Sequence, residues 1–128
     1  MKEKICKVLS PLASVVYQRR YIIGSTKDNY IIPSEVLESI YSVLNKFENR
    51  PEFTTDMSEA EKRSVNEFRR FFKNMAPRAP SDDVAVTNEE LVEHNPTWVG
   101  LRDAAKKCLD EMGFDLAAWE KKELSDGK

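Results

Sequence analysis

Apolar residues recur along most of this chain at the three-to-four-residue spacing of amphipathic helices. Residues 3–20 place Ile5, Leu9, Leu12 and Val16 on one helical face. Pro11 interrupts that face. Ser10 is suited to cap a helix and Pro11 to begin one, so a kink or two short helices are expected. From residue 34 the pattern is clearest: Val36, Leu37, Ile40, Tyr41, Val43, Leu44 and Phe47 make one wide apolar stripe. Ser34, after Pro33, is the expected cap, and Arg50-Pro51 the end. Ser58-Glu59-Ala60-Glu61 has the form of a capping box. It opens a helix to about Met75 with Val65, Phe68, Phe71, Phe72 and Met75 facing inward.

The C-terminal half repeats this punctuation. Thr87-Asn88-Glu89-Glu90 is a second capping box, before a short helix to about Glu93. Asn95-Pro96 offers a cap and a first-turn proline for a helix whose inner face is Trp98, Leu101, Ala104, Ala105, Cys108, Leu109 and Met112. Gly113 is placed for a left-handed ending with Phe114 packing back, and Asp115 for capping a last helix that carries Leu116, Ala117 and Trp119. The tail 125–128 is expected to fray. Residues 21–33, Tyr-Ile-Ile-Gly-Ser-Thr-Lys-Asp-Asn-Tyr-Ile-Ile-Pro, break the helical period. Two readings stay open there: a small hairpin turning near Asp28-Asn29, or a loop that tucks its isoleucines under the helices. The fold class is all-α, an irregular bundle of five or six helices. It forms one domain over residues 1–128 with one short non-helical segment near 21–33.

Composition fits this picture. The chain has 128 residues, 41% hydrophobic and 33% charged, with only 4 Gly and 6 Pro, which is globular rather than disordered. Twenty basic and 22 acidic residues give a net charge of −2. A protein that lives on a phosphate backbone is usually more basic, so direct nucleic-acid binding is disfavoured. The uncharged run from Val8 to Gln18 is too short to cross a bilayer and lacks a signal-peptide cleavage pattern. A soluble, cytoplasmic protein is expected.

Few residues offer chemistry of their own. Cys6 and Cys108 sit among apolar residues and read as reduced core thiols; a disulfide between the terminal helices is the other reading. His94 is the one histidine. It precedes Asn95-Pro96, where an imidazolium complements a helix C-terminus. Glu90 and His94 are four apart, but nothing repeats the spacing, so no metal site is expected. The glycines at 24, 100, 113 and 127 form no phosphate-binding loop. The paired carboxylates fall at loop and helix-start positions rather than in a shielded pocket. Neither enzymatic activity nor a cofactor is expected.

Charge order says more. Residues 81–95 hold Asp82, Asp83, Glu89, Glu90 and Glu93 and no Lys or Arg. This window is either an acidic loop with a favourable first helical turn or a surface that meets a basic partner. The opposite patch is Lys62, Arg63, Arg69, Arg70 and Lys73 with Arg19 and Arg20. It is either a solvated face or a nucleic-acid-binding helix. Trp98 and Trp119 are core candidates, and an exposed tryptophan would be a binding anchor.

The acidic Pro80-Ser81-Asp82-Asp83 and the stretch 87–124, TNEELVEHNPTWVGLRDAAKKCLDEMGFDLAAWEKKEL, resemble the small, acidic, helical immunity proteins of bacterial contact-dependent growth inhibition systems. The resemblance is one of type, size and charge distribution. It implies binding to a cognate toxin, commonly a nuclease that cleaves tRNA or DNA, and occlusion of the toxin's active site. The resemblance assigns no particular residue; the charge order of 81–95 is what places the expected partner-binding residues at Asp82, Asp83, Glu89, Glu90 and Glu93. The alternative is a small regulatory or adaptor protein that binds nucleic acid or an acidic protein through the Arg/Lys-rich helix 58–75.

Overall fold

A computed structural model describes residues 1–27, 30–80 and 86–126. Those residues form seven α-helices and no strand: α1 (Lys2–Ala13), α2 (Val15–Gln18), α3 (Pro33–Asn49), α4 (Glu59–Met75), α5 (Asn88–Glu93), α6 (Pro96–Glu111) and α7 (Leu116–Asp126). The all-α class is as the apolar spacing predicts. The count exceeds the expected five or six because the first stretch divides into α1 and the 4-residue α2, while the short helix expected after Thr87 forms as α5.

Helices α1 and α6 lie at the centre. They pack on each other; α1 also packs on α3, and α6 on α4, α5 and α7. Ile5, Leu9 and Leu12 of α1, Leu101, Ala105 and Leu109 of α6, Ile40 of α3 and Val65 of α4 are fully buried. Removing these side chains from water is the main driving term for such a bundle. Among the described residues no helix is long and apolar enough to cross a membrane.

The break in the first helix falls four residues later than the sequence suggests, at Ser14 rather than Ser10. Helix α1 runs through Pro11, and Ser10 is buried with its hydroxyl donating to Cys6 O at 2.6 Å. Ser14 is the cap instead: its Oγ accepts from Tyr17 N at 3.0 Å and starts α2. The break resets the helical phase, so Val16 points outward, 45% exposed, rather than joining Ile5, Leu9 and Leu12.

Other local expectations divide. Residues Arg19–Ile23 form a π-turn closed by Gly24 N donating to Arg19 O. A Cβ at Gly24 would stand 3.0 Å from Arg20 O, a tight contact that glycine avoids. The segment 21–33, expected to be non-helical, is shorter than that: residues 21–23 belong to this π-turn and Pro33 opens α3, while among the described residues between them no strand forms, Ile31 N donates to Tyr21 O, and of the isoleucines only Ile22 is fully tucked in. The turn expected at Asp28-Asn29 lies outside the described residues. Ile32, not Ser34, is the N-cap of α3, because Pro33 itself takes the first helical position. The Ser58–Glu61 capping box forms with both hydrogen bonds. Phe71, expected inward, is 37% exposed. Gly113 adopts φ +73°, Phe114 N donates to Leu109 O and Gly113 N to Asp110 O, which completes the left-handed ending.

Candidate partner-binding face on α5

Helix α5 carries the described half of the acidic window. Thr87 caps it, its Oγ1 accepting from Glu90 N at 3.1 Å. Among the described residues the reciprocal half of the capping box, from the Glu90 carboxylate to Thr87 N, does not form. Leu91 and Val92 are buried and root the helix in the core. Asn88 Nδ2 donates to Ile22 O of the π-turn at 3.0 Å.

The predicted acidic residues separate into three groups. Glu89 and Glu90 are exposed, and among the described residues neither carboxylate has an ion pair or hydrogen bond. Glu93 is half-buried and engaged: Arg19 Nε and Nη2 donate to its two carboxylate oxygens at 2.8 and 2.9 Å. These hydrogen bonds hold the Glu93 carboxyl below the usual carboxylate range, with Arg102 and His94 adding to the effect. Asp82 and Asp83 lie outside the described residues.

Behind α5 lies a buried polar hub. Gln18 is fully buried. Its Nε2 donates to Pro11 O at 2.9 Å and Leu12 O at 2.5 Å, satisfying carbonyls left open where α1 ends. Its Oε1 accepts from Trp98 Nε1 at 3.0 Å and Arg102 Nη1 at 3.1 Å. Arg102 Nη1 also donates to Val92 O at 2.7 Å, on the last turn of α5. Burial lowers the Arg102 pKa, while Asp103 and Glu93 oppose that shift. Sequence reading missed this hub. Its visible trace is a lone amide, Gln18, six residues after Leu12 and next to two arginines.

The basic patch is largely spoken for. Glu48 of α3 pairs with Arg69 at 3.2 Å and Lys73 at 2.7 Å, and Lys62 pairs with Glu59 at 3.4 Å. Arg63 and Arg70 remain exposed on α4. Trp98 is core, and Trp119 is partly buried with its ring 5.0 Å from Tyr17. Cys6 and Cys108 are free thiols, both buried. His94 is exposed at the C-terminal cap of α5. Among the described residues no three His, Cys, Asp or Glu side chains gather as metal ligands do. A groove of about 630 Å³ is lined by apolar Cys6, Phe114 and Trp119 and by charges of both signs, including Lys7, Lys122 and Glu123.

Hub and face together define an all-α domain that presents a short acidic helix on a buried support. Comparison with known proteins finds no matching family model, no matching curated protein and no matching solved structure.

Proposed function

We propose that this chain is a non-catalytic binding protein of the immunity kind. It covers the basic active-site cleft of a cognate bacterial toxin, a nuclease, and so excludes the nucleic-acid substrate in the cytoplasm where both meet. The observation that carries the reading is the free, outward pair Glu89 and Glu90 on a helix rooted by Leu91 and Val92. They belong to a fifteen-residue window without Lys or Arg. Carboxylates held there occupy the place of substrate phosphates and steer docking through long-range attraction. The neighbouring helix surface adds buried area toward the roughly 1,600 Å² of a stable interface. The opposing reading, nucleic-acid binding by α4, is less supported, because Arg69 and Lys73 are both engaged by Glu48.

The test is co-expression with a nuclease toxin domain encoded beside the gene for this chain. The expected result is restored growth and a one-to-one complex in which the nuclease is inactive. Full toxicity with the chain present, or a complex whose nuclease still cleaves, contradicts the reading.

A further inference from the structure

Helix α5 is six residues long, and a helix that short does not hold its shape in water without tertiary support. Two cations approach its last turn from different elements. Arg19, in the π-turn, grips both carboxylate oxygens of Glu93. Arg102, on α6, donates to the carbonyl of the preceding residue, Val92. Arg102 is itself fixed from behind by Gln18, whose amide nitrogen is bound to Pro11 O and Leu12 O. We infer that Arg19 and Arg102 are positioning residues that clamp the last turn of α5 and so set the direction in which Glu89 and Glu90 face a partner. This rests on the acidic-face reading above. A pre-set helix loses less freedom on docking, which raises affinity without a new contact. Glu93 then serves inside the molecule, and the partner's cations meet Glu89 and Glu90.

The test uses charge-conserving variants, Arg19→Lys and Arg102→Lys. A lysine cannot span both oxygens of a carboxylate as a guanidinium does. Hydrogen exchange is read at the amides of Leu91, His94 and Asn95, which donate to Thr87 O and Glu90 O. Arg102→Lys is expected to speed exchange there by about tenfold, because it loosens a charged hydrogen bond at a half-buried site. Arg19→Lys, at an exposed site, speeds it less, and exchange at Ala105 of α6 stays unchanged. Unaltered exchange at all three amides in both variants overturns the clamp.

A second arm measures binding of a polylysine peptide of about 20 residues at low salt. The clamp predicts that Arg19→Lys weakens binding at constant net charge, that Glu93→Gln, which also removes one negative charge, weakens it at least as much, and that the double variant is no worse than Glu93→Gln alone. If Arg19→Lys leaves peptide binding unchanged, the clamp does not set the acidic face and is wrong, whatever Glu93→Gln does. Glu89→Gln with Glu90→Gln decides the underlying reading separately: unchanged peptide binding there removes the acidic face, while the exchange arm still decides the clamp.

Discussion

Gln18 shows how much one buried side chain can organise. It closes the C-terminal end of α1 with its amide nitrogen and satisfies Trp98 and Arg102 with its oxygen. Gln18→Ala strands an indole N–H and two carbonyls in the core. The expected loss is about 3 kcal/mol, read from urea unfolding with an unchanged m value. A loss below about 1 kcal/mol would mean that water takes over these bonds. Cys108 makes a second residue-scale point. Burial pushes its thiol up to about 12. An unfolded thiol ionises near pH 8.5, so the native state holds a proton that the unfolded state has lost between those values. Stability attributable to Cys108 is full below pH ~8.5 and falls as pH rises toward 12. Cys108→Ala is therefore expected to flatten the alkaline limb of a stability–pH curve, and an unchanged slope would assign that limb to other groups.

At the scale of elements, what could be read in advance was what is local. The Ser58–Glu61 box and the Gly113–Phe114 ending depend on residues a few positions apart, and both form as their spacing predicts. Gly113→Ala tests the second. No atom lies within 4 Å of an added Cβ, so the cost is the left-handed backbone alone. About 1 kcal/mol is expected by urea unfolding, and no change would show that the ending relaxes. The choice between Ser10 and Ser14 was not legible. Both are capping residues, and the break follows from Gln18 reaching back to Pro11 O and Leu12 O, and from Ser14 Oγ bonding Glu120 across 106 positions. The outward turn of Val16 follows from that choice. The site divides in the same way. The acidity of 81–95 is plain in the sequence, but the division between free Glu89 and Glu90 and engaged Glu93 depends on Arg19, 74 residues away. No spacing rule reaches that far.

Ion pairs at and near the surface surround the apolar core, and they contribute to the whole molecule's response to acid. Lys73 holds the Glu48 carboxyl below its ordinary range, Lys2 does so for Glu61, and Arg19 for Glu93. Carboxyls with lowered native pKa values stabilise the fold above the unfolded value near pH 4.3, and that contribution fades as pH falls through the native values. Thermal melting temperature is therefore expected to drop below about pH 4.5, and Glu48→Gln to shrink the drop. A wild-type drop retained in full by Glu48→Gln would assign the acid limb elsewhere. Association is proposed to depend on other carboxylates, the exposed Glu89 and Glu90. The most direct measurement is the association rate with the nuclease toxin domain proposed as its partner, from about 20 to 500 mM salt, for the wild-type chain and for the Glu89→Lys, Glu90→Lys double variant. The account predicts a wild-type rate that falls steeply with salt, and a variant rate at low salt at least tenfold slower with little change in dissociation. Equal rates for the two chains, or a wild-type rate indifferent to salt, would contradict it.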